Sequence, residues 1–360
     1  MSRLYRVFRK VARRDPGWAW LGWMLTPLSM LYSLLAKAHR TQYETDRLSS
    51  IHLRTPVVGV GNIELGGVGK TPITAFLARR LSEAGVEVAV VARELRGGPE
   101  GPSEVRPGSG ARSSHSDEAR LLALELNSTA RVYAGRRKWE AAGLAERSEP
   151  DLILVDDAFQ HHKLHRDLDV VVLDFHHPYG TGGLLPVGTL REPPSVLSEA
   201  DYVWVNRVDP GRSCHWVARQ VAQNNWKARL VYSRMVPESM ELYDGEKVSA
   251  QGVSVLAFCG IGQPESFGTS LEEHGCEVLE LIPYPDHYQY SARDVAALEA
   301  RRSELGADFL VTTRKDAVKI PRRLAIENHL CILKVGLEVT GELQDLLQEI
   351  TLLTRHGKSG

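Results

Sequence analysis

Paired cysteines are missing from this sequence. Cys214, Cys259, Cys276 and Cys331 stand far apart with no C-x-x-C spacing, which argues against a zinc ribbon or disulfide framework and fits a reducing compartment. Net charge is missing too. With 44 basic and 45 acidic residues the chain carries −1 over 360 residues, so no global field favours nucleic acid. Repeats and low-complexity tracts are absent. No H-E-x-x-H pattern accompanies His161, His162 and His165, so zinc lacks its usual ligand set, and these read as polar turn residues near phosphates. One more absence is local: VGVGNIELGGVGKTP (Val58 to Pro72) ends as a G-x-x-x-x-G-K-[ST] loop does, but Glu64 stands in place of the first glycine.

What is present begins with a basic arm. Arg3, Arg6, Arg9, Lys10, Arg13 and Arg14 precede the first acid, Asp15, and lead into an uncharged stretch from Pro16 to Ala36. A clear small-residue cleavage site is lacking, which argues against a signal peptide. About 20 apolar residues can span a bilayer. Here Gly17, Gly22, Thr26, Pro27, Ser29, Tyr32 and Ser33 dilute the apolarity, and Pro27 is expected to kink a helix. Trp18, Trp20 and Trp23 suit the headgroup level, and the basic arm suits anionic lipid, so an interfacial anchor fits better than a span. A helix buried against the protein is the alternative.

The length allows two domains. TPVVGVGNI reads as a buried, non-alternating strand, the glycine loop follows, and PITAFLARRLSEAG has helical spacing that stops at Gly85. VEVAVVAR is the next strand, so the order predicts a parallel α/β sheet. Arg96 to Ser116, rich in Gly, Pro and Ser, reads as a mobile loop. DEARLLALEL and RRKWEAAGLAER read as helices, and RVYAG, DLILVDDAF, LDVVVLDF and ADYVWVNRV as strands. A hairpin is expected within Arg229 to Val248. VSVLAFCGIG then opens a second strand–glycine–helix unit, with EVLELIPY and DFLVTTRK as further strands. The expected division is an arm and anchoring helix over 1–40, a phosphate-loop core over 41–208 and a smaller α/β domain over 209–360.

A phosphate cradle needs inward backbone N–H groups, a lysine and a hydroxyl for Mg²⁺. Within Glu64, Leu65, Gly66, Gly67, Val68, Gly69, Lys70 and Thr71, the three glycines allow the tight path, Lys70 supplies charge and Thr71 the metal ligand. The following helix N-terminus adds to the field. Asp156 and Asp157, at the end of a hydrophobic strand, stand where a metal-side carboxylate belongs, although either could cap a turn. Transfer to an alcohol also needs a group for the hydroxyl proton. Asp117 is a candidate or a helix cap, His287 a candidate or a surface histidine, and Glu192 a metal ligand or a partner of Arg191.

Together these segments resemble the tetraacyldisaccharide 4'-kinase family along most of the chain. VGVGNIELGGVGKTP is similar to the family's G-N-[IL]-x-x-G-G-x-G-K-T-P, in which the position of Glu64 is not glycine. DDAFQHHKLHRDLDVVVLD resembles D-D-G-F-Q-H-x-x-L-x-R-D-L-D, GGLLPVGTLREP resembles G-R-L-L-P-A-G-x-L-R-E-P, and TTRKDAVKI resembles T-E-K-D-A-V-K. The resemblance implies a phosphate-loop NTPase-like domain and ATP- and Mg²⁺-dependent phosphorylation of the 4'-hydroxyl of an acylated glucosamine disaccharide phosphate. It further implies a monotopic helix in the cytoplasmic face of the bacterial inner membrane, with no obligate protein partner. By the same resemblance Lys70 and Thr71 hold phosphates and Mg²⁺, and Asp156, Asp157 and Glu192 fall on the family's acids. Asp117 matches its base and His287 the histidine that supports it. Departures fall at Ser116 and Ala119, at Glu94, at Ala158 where glycine is usual, and at Gly183 where arginine is common.

Overall fold

The computed structural model describes residues 3–12, 15–45, 47–94, 98–107, 115–262, 264–285, 288–327 and 330–357. In chain order the elements are α1 (Arg3–Ala12), α2 (Ala19–Glu44), β1 (Val57–Gly61), α3 (Lys70–Glu83), β2 (Val88–Arg93), β3 (Ser103–Val105), α4 (Asp117–Glu125), β4 (Arg131–Gly135), α5 (Lys138–Glu146), β5 (Leu152–Asp156), β6 (Leu168–Asp174), β7 (Tyr202–Asn206) and α6 (His215–Ala222). They continue as β8 (Arg229–Leu242), β9 (Lys247–Val248), β10 (Ser254–Cys259), α7 (Pro264–Glu273), β11 (Glu277–Pro283), α8 (Ala292–Leu305), β12 (Phe309–Thr313), α9 (Arg314–Ala317), α10 (Arg322–Glu327), β13 (Leu330–Gly341) and α11 (Leu343–Gly357). Two compact units result. One comprises residues 1–105, 125–234 and 339–360, the other 106–124 and 235–338.

In the first unit the strand order is β8–β7–β6–β1–β5–β2–β4–β3. All pairs are parallel except β3 on β4. Every residue of β1, β5 and β7 is buried, as expected for parallel strands covered on both faces. β1 lies between β5 and β6, with Val60 opposite both Asp156 and Val170. The loop that leaves β1 therefore starts beside the aspartate that ends β5. β3 differs from the expected mobile loop. Val105 is buried against Val132, and this edge pairing makes a strand of residues 103–105, while 96–97 and 108–114 of the expected loop lie outside the described residues.

From Ala19 on, the apolar stretch and its extension form one helix, α2, with Pro27 inside it, preceded by a 3-10 turn over Pro16–Trp18. The Thr26 hydroxyl donates to the Gly22 carbonyl at 3.1 Å, next to the Trp23 carbonyl that Pro27 leaves without an N–H. Trp20, Trp23, Met24, Leu28, Met30, Leu31, Leu34 and Leu35 are exposed, Trp23 at 81%. Their spacing puts them on one side of the helix. Among the described residues no helix is long and apolar enough to cross a membrane.

In the second unit β11, β10, β12 and β13 pair in parallel, and β9 folds back on β8 as the expected hairpin. TTRKDAVKI has an internal role there. Asp316 and Lys319 are fully buried and paired at 3.0 Å. Asp316 also accepts from the Gly260 N–H at 2.9 Å and the Thr313 hydroxyl at 2.7 Å, so it ties the ends of β10 and β12 and leaves no bare buried charge.

Candidate active site

The loop between β1 and α3 is shaped from two sides. Gly69 has φ +94°, and a Cβ there would lie 2.2 Å from the Asn206 Nδ2, so only glycine fits. That Nδ2 donates to the Val68 carbonyl at 2.8 Å. Behind it the Ser233 hydroxyl donates to Asn206 Oδ1 at 2.8 Å and accepts from the Trp204 indole at 2.7 Å. A hydrogen-bonded chain thus runs from the buried core of β7 to the loop. On the other side the Leu65 N–H donates to the Thr189 carbonyl at 2.6 Å, and Glu64 bridges antiparallel to Leu190. No atom outside the chain neighbours lies within 4 Å of a Cβ at Gly66 or Gly67. The Gly67 carbonyl accepts from the Arg207 guanidinium, and the loop leads into the N-terminus of α3, where N–H groups and the helix dipole favour an anion.

Lys70 opens α3 and pairs with Asp157 at 3.4 Å. Asp157 has φ +53°, a conformation that costs a non-glycine residue energy and is kept where surroundings enforce it. Three cations surround it: Lys70, Arg191 at 3.1 Å and Lys138 at 4.0 Å. Burial alone would raise its carboxyl, but Lys70, Lys138 and Arg191 outweigh burial and hold it at about 2. Lys138 sits 1% exposed at the start of α5 and donates to the Asp157 carbonyl. Burial lowers its ammonium to about 8 despite Asp157 and Asp156.

Asp156 turns to the hydroxyls. Its Oδ2 accepts from Thr71 at 3.0 Å, and its Oδ1 accepts from Thr74 at 3.1 Å and the Asp157 N–H at 3.1 Å. Thr71 and Asp156 thus form a hard, oxygen-only donor set, which fits Mg²⁺. Among the described residues no group of three or more His, Cys, Asp or Glu gathers as a metal cluster. Glu192 lies in a neighbouring contact set: its Oε1 is 2.8 Å from Arg40 Nη2, and its Oε2 accepts from the Gln160 amide at 3.2 Å. Burial raises its carboxyl, and Arg40, Gln160, Arg166 and Arg191 pull it back. Two contacts leave part of its roughly four lone-pair sites open to a cation. Gln160 links the two sets, since its Oε1 accepts from Arg191 at 3.3 Å and Arg191 donates to Asp157.

Glu64 is the odd carboxyl. Burial first, and Asp174 second, raise it to about 7, against Lys70, Arg207 and a Thr189 hydrogen bond. Asp117 opens α4 in the second unit, 3.6 Å from Arg120 and 3.5 Å from the Gln289 amide. His287 lies outside the described residues. His161 and His162 are pushed down to about 3, chiefly by burial, so both are neutral.

Sequence reading brought out Lys70, Thr71 and the two aspartates, and the fold joins them. Arg40, Lys138, Gln160 and Asn206 escaped it. Lys138 alone left a local trace: a lysine in the first turn of a helix opposes the helix dipole and needs a compensating anion.

Comparison with known proteins shows the family and the fold. The family described as LpxK, tetraacyldisaccharide-1-P 4'-kinase, matches residues 21–352. A tetraacyldisaccharide 4'-kinase of Geobacter sulfurreducens is 35% identical over 315 residues, 85% of this chain and 86% of that protein. One of Chromobacterium violaceum is 36% identical over 349 residues, 94% and 96%. The crystal structure of LpxK from Aquifex aeolicus in complex with ATP shares the fold, with TM-score 0.72 and 24% identity over 93% of this chain and 99% of that one. The chain belongs to the tetraacyldisaccharide-1-P 4'-kinase family.

Proposed function

We infer that the chain transfers the γ-phosphoryl group of ATP to the 4'-hydroxyl of tetraacyldisaccharide 1-phosphate, a step of lipid A biosynthesis. The observation that carries this is a family match over residues 21–352 on a chain whose Lys70–Asp157 and Thr71–Asp156 contacts flank the glycine loop. In this reading residues 64–71 cradle the phosphates, and Lys70 neutralises charge on them. Thr71, Asp156 and Glu192 would hold Mg²⁺, which when bound supplies positive charge to the phosphates. Asp157 keeps Lys70 aimed. Asp117, supported by His287, takes the hydroxyl proton as the sugar oxygen bonds to the γ-phosphorus and the bond to the ADP oxygen breaks.

The test is transfer of labelled γ-phosphate from ATP to tetraacyldisaccharide 1-phosphate in detergent micelles, comparing wild type with Asp117→Ala. Labelled lipid from wild type, reduced about 10²- to 10⁴-fold in the variant, is expected for a general base. ATP hydrolysis without labelled lipid would sink the assignment.

The apolar side of α2 belongs to the same reading, as a monotopic anchor in the cytoplasmic face of the inner membrane. Support comes from the exposed stripe and from a basic arm just before it. Leu31→Glu with Leu35→Glu should abolish co-sedimentation with anionic vesicles and leave activity on micellar substrate largely intact. Unchanged sedimentation would refute the anchor.

A further inference from the structure

The side of α2 opposite the apolar stripe carries a different set of residues. Ser29 is buried and its hydroxyl donates to the Leu184 carbonyl at 3.0 Å. The Tyr32 hydroxyl donates to the Arg191 carbonyl at 2.9 Å. Arg40, 5% exposed, faces Glu192 at 2.8 Å, contacts Glu199, and lies over the Phe159 ring at 5.3 Å. Positions 29, 32 and 40 fall on one side of a helix, because an 11-residue span is close to three turns. They hold the two ends of the Leu184–Glu192 loop, the loop that also bonds to Leu65 and bridges Glu64.

Arg40 is poorly explained as a simple strut. Its Nε and Nη2 are buried without a well-aligned hydrogen bond; the 2.8 Å approach of Nη2 to Glu192 is an ion pair out of line. A buried ion pair is weak evidence for stability, because desolvation offsets much of its attraction. What Arg40 orients is the start of a continuous contact chain: Glu192 to Gln160, Gln160 to Arg191, Arg191 to Asp157, and Asp157 to Lys70.

We propose that Arg40 is a positioning residue for Glu192, so that the apolar helix α2 is part of the active centre as well as an anchor. Arg40 fixes the direction in which the Glu192 carboxylate is presented, while Ser29 and Tyr32 fix the loop that bears it. The inference rests on the proposed role of Glu192 toward Mg²⁺.

The experiment uses full-length protein in micelles, with Arg40→Met, Arg40→Lys, Glu192→Gln and the Arg40→Met/Glu192→Gln double variant. Binding of a fluorescent ATP analogue is titrated with Mg²⁺ and also measured without metal, and thermal melts monitor folding. Arg40→Met and Glu192→Gln should each raise the half-saturating Mg²⁺ concentration about tenfold, in the range typical for groups that orient metal ligands. The double variant should be no worse than Glu192→Gln, Arg40→Lys should recover part of the loss, and metal-free affinity should stay at the wild-type value. The double variant buries no lone charge, so it tests the coupling even if Arg40→Met folds poorly. A normal Mg²⁺ requirement in Arg40→Met would overturn the proposal. So would a further loss in the double variant, or a loss of metal-free affinity that tracks the melting temperature. If Glu192→Gln alone has no effect, the role given to Glu192 fails and the proposal falls with it. Absence of labelled lipid with the wild type would instead refute the kinase reading.

Discussion

Glu64 and Asp157 flank the same lysine and have opposite fates. Both carboxyls are largely buried, and burial raises both. Asp157 has three cations within 4.0 Å and is held at about 2. Glu64, among the described residues, has no cation within ion-pair distance; Asp174 adds to burial, and it sits at about 7. Burial is common to the two, so the close cations decide which is a permanent anion and which changes charge near neutrality. One side of the loop is a fixed anchor for Lys70, the other a titrating group in the backbone path of the phosphates.

Asp157→Asn breaks the comparison most severely. It removes the anion that orders Lys70 and Arg191, and kcat/KM should fall about 10²- to 10³-fold, the scale for losing a preorganised charge partner. Initial rates on micellar substrate measure this, and a loss under tenfold would mean that Lys70 is held by something else.

Lys138→Met should act more gently. It keeps the buried volume but removes one of three cations and the bond to the Asp157 carbonyl. A fall in kcat/KM of about 10- to 100-fold is expected for a supporting group, with little loss in melting temperature because Lys70 and Arg191 still pair with Asp157 and leave no bare buried charge. An unchanged rate would show that Lys70 and Arg191 suffice.

Glu64→Gln is the smallest change and gives the sharpest pH signature. The folded carboxyl binds its proton up to about 7, the unfolded one only to about 4.3. Between those values the folded state holds more protons, so wild-type stability declines as pH rises across that window, and the variant lacks this decline. Nucleotide affinity of the wild type should likewise weaken a few-fold relative to the variant as pH rises through about 7, a shift comparable to losing a modest exposed charge interaction. Parallel urea and nucleotide titrations at pH 5 and 8 check both. Identical pH profiles for the two proteins would place the Glu64 titration elsewhere.

Much of this was legible because the signals are local. A β-branched run, a glycine loop and a lysine–threonine pair are adjacent in the chain, so the sequence sufficed to predict β1, the cradle and α3. The expected hairpin appears as β8 and β9 for the same reason. β13 and α11 went unread, and β3 is a strand only because β4 offers an edge to Val105. Two aspartates at a strand end were visible as candidates, but which would meet the hydroxyl and which the lysine was not. That division depends on β5 lying beside β1 and on the +53° turn at Asp157.

The sequence by itself therefore determined the chemistry on offer: a phosphate loop with its lysine and hydroxyl encoded within a few residues of one another, and a supply of carboxylates elsewhere in the chain. Tertiary structure decided which charges meet. Arg40 reaches Glu192 across about 150 residues of chain, and Lys138 reaches Asp157 only because α5 packs on the sheet beside β5. Such pairings leave no periodic trace, since Coulomb attraction acts on distance in space, and strand order sets that distance.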